Sequence, residues 1–370
     1  MFDFFNDIYY FILGQDARYK IVLVALLILL VVSVVMTFVV LRERARRNYI
    51  ERQRQRIMQR VEPVLLEVIF TEGDAADLQA AIKKLKKSIA GARIETNREI
   101  LRILILKYHR NFGGSADQKL AQVYRETNLK EENLKNINAR EWSVRAKAIT
   151  ELGEMGMRET LFEILQHTDD ENVHVRSEAQ YAAVRMGGVK ALSFLKDIKS
   201  PISEWQQIRM LDECLKYGAE VFKDLEQWLA SKNDSVVMFG LKVVHHLSMY
   251  RVKDQVTNLL YHKNYKVQIK AVEACVKLLL QGSLKNMHEI YELSRIIRLK
   301  RTIIEAFGEL GGASEVKFLE EIVEKEDEYD LVLEASRALQ KLGRSDVLKK
   351  YTYKEGTAKN IITHTLDERI

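Results

Sequence analysis

Hydrophobic and polar positions repeat along the second half of the chain at a step of about thirty-one residues. Each copy has a mostly apolar anchor, and the seven anchors are Val144, Val175, Gln206, Val236, Val267, Leu299 and Leu331. Four residues further on stand small or apolar residues, namely Ala148, Ala179, Met210, Gly240, Ala271, Ile303 and Ala335. This spacing places one apolar stripe on an α-helix. A unit this short holds two helices that cannot bury their apolar faces alone, so the copies are predicted to stack into a solenoid.

The ends of the second helix of each copy are also marked. In four copies the residue three before the anchor is Asn or Ser, which suits a helix N-cap: Asn172, Ser203, Asn233 and Asn264. Twelve residues beyond the anchor a glycine recurs in five copies, which suits a helix C-terminus: Gly156, Gly187, Gly218, Gly311 and Gly343. Ser248 and Leu279 replace it in copies four and five, so we expect irregular curvature over residues 245–295.

The segments Val144–Gly156 and Asn172–Ala179 carry a resemblance to the HEAT repeat family in its short bacterial form. The resemblance covers residues 139–350, as seven copies, and implies an all-α fold with an α-α superhelix. The family's Arg after the anchor is kept as Arg145 and Arg176 and becomes Lys300 in the sixth copy. Gln207, Val237, Gln268 and Val332 replace it elsewhere, so a continuous arginine ladder is not expected.

Residues 21–41 form an uninterrupted apolar run. Its length of about 31 Å as a helix is enough to cross the hydrocarbon layer of a membrane. A buried core helix is rarely apolar on every side, and a cleaved signal peptide ends in small residues, whereas this run is followed by arginines. We therefore predict an uncleaved transmembrane helix.

A basic juxtamembrane helix is predicted over residues 42–61. It carries eight arginines, Arg42, Arg44, Arg46, Arg47, Arg52, Arg54, Arg56 and Arg60, against Glu43 and Glu51. The excess of six positive charges equals the net charge of the whole chain, so the remainder is balanced. The positive-inside rule then predicts a single-pass protein of the bacterial inner membrane, with its N-terminus outside and its C-terminal solenoid in the cytoplasm. The collar itself is expected to meet anionic lipid headgroups, with an acidic partner or nucleic acid as alternatives; the balanced charge of the solenoid argues against nucleic acid.

Three other segments flank these parts. Residues 1–20 are aromatic and predict an interfacial N-terminal segment. Residues 62–138 predict a helical connector that caps the solenoid, with a kink or restart at Pro63 and an N-cap at Asp74. Residues 351–370 are polar and predict a C-terminal cap or tail. Cys214 and Cys275 hold the same internal position of copies three and five, so both are expected to be core residues.

No catalytic constellation emerges from the sequence: it has no Gly-rich phosphate loop, no HExxH and no CxxC. His245 and His246 are adjacent and would point about 100° apart on a helix, so they are not expected to bind one metal ion. We therefore predict no enzyme activity, no catalytic residues, no metal and no cofactor.

The expected function is that of a non-enzymatic, membrane-anchored scaffold that binds a membrane-associated protein partner. Candidate binding residues on the second helices are Arg145, Lys147, Arg176, Gln207, Gln268, Lys270, Lys300 and Arg301. The layout also resembles single-pass HEAT scaffolds of the Bacteroidetes type, which implies an accessory role to a membrane glycosyltransferase or envelope system. The alternatives are a lyase-type HEAT-like enzyme and a tethered solenoid that binds nucleic acid.

Overall fold

The computed structural model describes residues 16–91, 94–216, 218, 222–351 and 365, and every regular element in these ranges is a helix. The chain divides into two compact units, residues 1–129 and 130–370. Most of the predicted interfacial segment and of the predicted C-terminal cap or tail lies outside the described residues.

One helix, α1 (Ala17–Phe70), dominates the first unit and is 54 residues long. Where described, its apolar residues between positions 21 and 41 are exposed, while its last part is buried on one face. That buried face consists of Ile57, Val61, Leu65, Val68 and Ile69. The helix passes through Pro63 without the restart that the sequence allowed. Pro63 is exposed, opposite the packed face, so water can satisfy the carbonyl that the proline leaves unbonded.

Three shorter helices pack on the end of α1: α2 (Ala75–Ile89), α3 (Ile94–Asn111) and α4 (Ser115–Glu126). As predicted, Asp74 is the N-cap of α2, and its carboxylate accepts hydrogen bonds from the backbone amides of Ala76 and Asp77. Apolar residues of the three helices fill the core with those of α1, including Ile82, Leu85, Ile100, Leu101, Leu104, Ile105, Leu120 and Val123.

The second unit is a row of helical pairs. In chain order its helices are α5 (Leu129–Asn136, which crosses the boundary of the units), α6 (Trp142–Glu154), α7 (Leu161–Leu165), α8 (Val173–Gly187), α9 (Glu204–Leu215), α10 (Leu225–Leu229), α11 (Asp234–Leu247), α12 (Lys253–Asn258), α13 (Tyr265–Lys277), α14 (Leu284–Leu293), α15 (Ile297–Leu310), α16 (Ala313–Lys325), α17 (Tyr329–Lys341) and α18 (Ser345–Lys349). Several first helices are short or contain 3-10 turns, such as Gly188–Lys196. The second helices are α6, α8, α9, α11, α13, α15 and α17.

All seven second helices begin two residues before their anchor, which confirms the predicted register. The four predicted Asn and Ser caps are confirmed by side-chain hydrogen bonds to the first backbone amides of their helices. The alanines four residues beyond the anchor, Ala148, Ala179, Ala271 and Ala335, are at most 1% exposed. Neighbouring copies therefore pack through these positions, as the stacked solenoid requires.

The helix ends differ from the prediction in two copies. A left-handed residue follows the second helix at Gly156, Gly218, Ser248, Leu279 and Gly343, twelve residues beyond the anchor. In copy two the left-handed residue is Gly188 and not Gly187, and Gly311 has an extended backbone. Copies four and five thus have a left-handed residue at the same position as copies one, three and seven, without a glycine.

Candidate partner-binding face

The positions three, six and ten residues beyond the anchors carry side chains that are exposed or partly buried, except for Phe239 and Glu334, which are buried. These positions fall within about 60° on a helix, so they form one surface, which we call the second-helix face. Its polar members include Lys147, Glu178, Arg209, Lys270, Thr150, Tyr181, Asp212, Lys242, Glu273, Arg185, Lys216, His246 and Lys277. The face is therefore mostly charged, and what it can bind depends on how its charges are paired.

Hydrogen bonds between the loops that precede the second helices hold successive copies together. A carboxylate oxygen of Asp169 accepts from the Ser200 amide at 3.1 Å, and the Asn233 side chain donates to the Ser200 carbonyl at 3.0 Å. The Asn264 side chain donates to the Asp234 carboxylate at 2.7 Å. Burial acts to raise the pKa of Asp169, but the hydrogen bonds it accepts from residues 199 and 200 lower it overall. This edge sets the spacing of the second helices.

In the N-terminal part of the face, charges neutralise one another. Glu178 accepts from the Arg209 guanidinium at 2.9 and 3.4 Å, and that guanidinium lies 3.9 Å from the centre of the Tyr181 ring. The Tyr181 hydroxyl donates to Glu213, which also pairs with Lys216 at 2.8 Å. These residues partly line a small cavity of about 200 Å³. The network offers little unbalanced charge to a ligand.

The middle of the face is different, because basic residues of α11 and α13 accumulate there. We call Lys242, His245, His246, Lys270 and Lys277 the central basic cluster. The one carboxylate that acts on both Lys242 and His245, Glu273, is already paired with Lys270 at 2.6 Å. The His245 and His246 rings lie 5.3 Å apart, and His246 bonds to the Lys242 carbonyl at 2.9 Å.

Two groups of the cluster are held away from water. Burial lowers the pKa of the Lys242 ammonium, and Lys270 lowers it further, while Glu204 and Glu273 oppose the shift. Burial also lowers the pKa of His245, helped by His246, Lys277 and Lys270. Within the described residues, Lys242 has no ion pair and its side chain makes no hydrogen bond. The cluster is a place where positive charge is poorly compensated.

The C-terminal part of the face is again paired. Lys341 lies 2.6 Å from Glu309, and Arg301 lies 3.4 Å from Glu334. Lys300, which follows its anchor directly and lies off the second-helix face, is 3.8 Å from Glu326 and 4.5 Å from the centre of the Tyr291 ring. Balanced, paired regions therefore flank the central basic cluster on both sides.

Four of the eight predicted binding residues donate hydrogen bonds to backbone carbonyls inside the solenoid. Each follows an anchor and bonds to carbonyls that precede its own helix, and Gln207 also bonds to a carbonyl of the next copy: Arg145 to Ala139 and Arg140, Arg176 to Asp170 and Glu171, Gln207 to Ile202 and Ser235, and Gln268 to Leu260. Arg145 also pairs with Asp170 at 3.1 Å. Arg176 and Gln207 are 8% and 1% exposed, so the structure places these two inside the solenoid.

The other four predicted residues reach the surface. Lys147 is exposed, Arg301 is half exposed in its pair with Glu334, and Lys300 is partly buried. Only Lys270 joins the central basic cluster. Sequence reasoning missed Lys242, His245, His246 and Lys277, although counting six and ten residues from the anchors would have placed three of them on the second-helix face.

The predicted basic collar, Arg42, Arg44, Arg46, Arg47, Arg52, Arg54, Arg56 and Arg60, lies on α1. Arg54 pairs with Glu99 at 3.3 Å, and Arg60 donates to Asn97 at 3.2 Å, so these two take part in packing the first unit. The remaining six arginines are exposed. Among the described residues, α1 is also the one helix long and apolar enough to cross a membrane.

A comparison with protein families agrees with the repeat architecture, since a family model described as HEAT repeats matches residues 131–206. The solved structures that the chain matches include an engineered protein (14% identity, TM-score 0.37, 83% of this chain and 98% of that one) and human deoxyhypusine hydroxylase in complex with glycerol (13%, 0.30, 78% and 98%). They also include the complex of CpcE and CpcF of phycocyanin lyase from Nostoc (13%, 0.25, 81% and 97%). None of the curated proteins matches the chain.

The stacked pairs and the family match define the class of protein. It is an all-α protein in which one long apolar N-terminal helix precedes a solenoid of HEAT type. The matched residues 131–206 contain the two copies that keep an arginine after the anchor, Arg145 and Arg176.

Proposed function

We propose that this protein is a non-enzymatic, membrane-anchored scaffold whose solenoid binds a protein partner through the second-helix face. The observation that carries the proposal is the state of α1, whose described side chains between residues 21 and 41 are exposed while the same helix continues into a packed core. One unbroken helix thus connects an exposed apolar surface, which is unfavourable in water, to a folded domain.

Exposure of the apolar run supports the membrane anchor. Leu26, Leu30 and Phe38 are each about 60% exposed, and their neighbours are similar. Each Leu, Ile, Val or Phe favours insertion at the centre of a bilayer by about 0.3 to 0.6 kcal/mol, so the run as a whole favours it by several kcal/mol. A lipid bilayer would remove this apolar surface from water. The exposed arginines that follow favour an orientation in which the protein is anchored in a bacterial inner membrane and its solenoid lies in the cytoplasm.

The charge distribution on the second-helix face supports partner binding. The N-terminal and C-terminal parts form their own ion pairs, while among the described residues the five members of the central basic cluster form only one, between Lys270 and Glu273. An anchored solenoid would search for partners only along the membrane surface, which raises the effective concentration of a membrane-bound partner. An envelope enzyme such as a membrane glycosyltransferase is the partner that the overall layout favours.

The orientation can be tested with single cysteines in the full chain. Cys214 and Cys275 are fully buried, and burial raises the pKa of their thiols to about 12 and about 11, so both should stay unreactive. In bacterial spheroplasts, a membrane-impermeant maleimide should label Asp16→Cys directly and Lys232→Cys only after lysis. Labelling of Lys232→Cys in intact spheroplasts would reverse the proposed topology.

The binding face can be tested by site-specific photocrosslinking in native membranes. A photoreactive benzoylphenylalanine at Lys147 or Arg301, on the second helices, should yield one discrete crosslinked protein. The same residue at Glu226 or Lys317, which are exposed on the first helices α10 and α16, is the matched control and should yield none. Equal crosslinking from both sides, or from neither, would contradict a scaffold that binds through the second-helix face.

A further inference from the structure

We propose that the central basic cluster is the binding site for a short acidic segment of the partner, in which several Asp or Glu carboxylates lie within about six residues. This inference rests on the proposed scaffold function and names the chemistry of its partner. The argument depends on the charge of the cluster, on its burial and on the acidic residues that flank it.

The charge of the cluster calls for an anion. Three lysines and two histidines lie on α11 and α13, and the carboxylates that act on Lys242 are Glu204 of α9 and Glu273 of α13. Glu273 is taken by Lys270 at 2.6 Å. A carboxylate from a partner would supply the ion pair that Lys242 lacks within the described residues.

The partial burial of Lys242 makes this site stronger than an exposed lysine patch. A half-buried ammonium has already lost part of its hydration in the free protein, so a carboxylate that approaches it displaces less water and gains a stronger interaction. Exposed lysines such as Lys232 and Lys263, in the loops before α11 and α13, offer the same charge without this advantage. The cluster should therefore dominate the binding of a carboxylate segment.

Flanking acidic residues limit the length of the ligand. Asp212 on α9 and Glu305 on α15 are exposed on the two sides of the cluster. Adjacent helices are about 10 Å apart, so the basic surface spans about 20 Å, the length of roughly six extended residues. A long polyanion such as duplex DNA would meet these carboxylates, whereas a short acidic segment would not.

His245 adds a pH dependence with a definite sign. His245 faces His246 on its own helix and Lys270, Glu273 and Lys277 on α13, and burial and these cations hold its pKa below the ordinary 6.5. A bound carboxylate favours the protonated ring, so binding takes up a proton and strengthens as the pH falls through the pKa of the bound ring towards the lower pKa of the free ring. Replacing His245 with glutamine should remove this dependence and leave binding at pH 7.5 almost unchanged.

The test uses the full chain in lipid nanodiscs and a fluorescent ten-residue peptide with three Glu at alternate positions among Gly and Ser. The double variant Lys242→Gln/Lys270→Gln should bind this peptide at least tenfold more weakly than the wild type, while Lys232→Gln/Lys263→Gln, with the same change in net charge, should change binding less than twofold. Circular dichroism melts establish that both variants fold, and Lys242→Arg should bind normally.

Several outcomes would overturn the proposal. Equal losses of peptide binding in the two double variants would mean that the peptide is held by general electrostatic attraction. If the wild type does not bind the peptide, or binds equally well the same peptide with Gln in place of Glu, an acidic segment is excluded. Binding of duplex DNA or anionic vesicles through the same lysines, in place of the peptide, would assign the cluster to another ligand. If the Lys242→Gln/Lys270→Gln variant still crosslinks the native partner from position 147 or 301, this inference fails while the scaffold function stands; if the wild type crosslinks nothing, the scaffold function itself fails.

Discussion

At the scale of single residues, the ends of the second helices show how one backbone conformation is kept while the side chain changes. Gly156, Gly218 and Gly343 take a left-handed conformation with φ of 62°, 75° and 73°. Ser248 and Leu279 take it with φ of 50° and 56° at the equivalent positions. A residue with a Cβ pays roughly 1 kcal/mol for this conformation, so packing of the adjacent helices must hold copies four and five in the common turn.

Leu279 allows this cost to be measured. Its side chain is 74% exposed, so removing it should cost little packing energy. We expect Leu279→Gly to be more stable than Leu279→Ala by about 0.5 to 1 kcal/mol in urea unfolding, because both remove the side chain and only glycine relieves the left-handed strain. An alanine variant as stable as the glycine variant would show that the turn carries no such strain.

At the scale of helices, small residues decide how closely second helices approach. A Cβ added to Gly308 on α15 would lie 2.9 Å from the Cα of Ala338 on α17, and one added to Gly153 on α6 would lie 2.6 Å from the Cβ of Ala182 on α8. In both cases the added Cβ would meet the backbone or the short side chain of an alanine, which cannot move aside without shifting a helix.

Gly308→Ala should therefore destabilise the solenoid by about 1 to 3 kcal/mol, although alanine favours helix formation more than glycine. Gly282→Ala is the control, since no heavy atom outside its own chain neighbours lies within 4 Å of the added Cβ and its φ is not positive. Differential scanning calorimetry of the full chain measures both. A Gly308→Ala variant that melts at or above the wild-type temperature would contradict the close approach.

The helix scale also shows what the sequence predicts and where it stops. The start of every second helix was predictable because anchors such as Val175 and Val267 are buried and recur in register. The direction of the side chain that follows the anchor could not be predicted. Periodicity places Arg176 near the surface of its helix, but it does not reveal that the guanidinium donates to the backbone carbonyls of Asp170 and Glu171. The pairing of charges between copies, such as Arg209 with Glu178 across 31 positions, likewise depends on the packed geometry.

At the scale of the whole molecule, the anchor lies at one end of the chain and the repeats at the other. The repeats contain the residues that match the HEAT family model and carry the second-helix face. The apolar part of α1 is the basis of the proposed location in a membrane. Because the apolar run is exposed, its hydrophobic character can be changed without disturbing a packed core.

Two charges in the middle of the run should therefore release the protein from the membrane. Each arginine costs about 2.5 to 3.5 kcal/mol at the centre of a bilayer, so Leu30→Arg/Val34→Arg should offset most of the insertion energy. We expect this variant to appear in the soluble fraction after carbonate extraction, whereas Ile50→Arg, which places one arginine beyond the run, should stay with the membrane. Membrane retention of the double variant would mean that another segment provides the anchor.

The uninterrupted course of α1 gives the anchor a mechanical property. Leu41 ends the apolar run and Ile57 begins the buried face, so a helical rise of about 24 Å separates the run from the folded first unit. In the proposed membrane orientation, a flexible tether would let the first unit approach the headgroups or rotate freely, whereas a helix of this length would hold the unit at a constant distance and transmit twist. Any rotation imposed on the span within the bilayer would turn the attached domain with it.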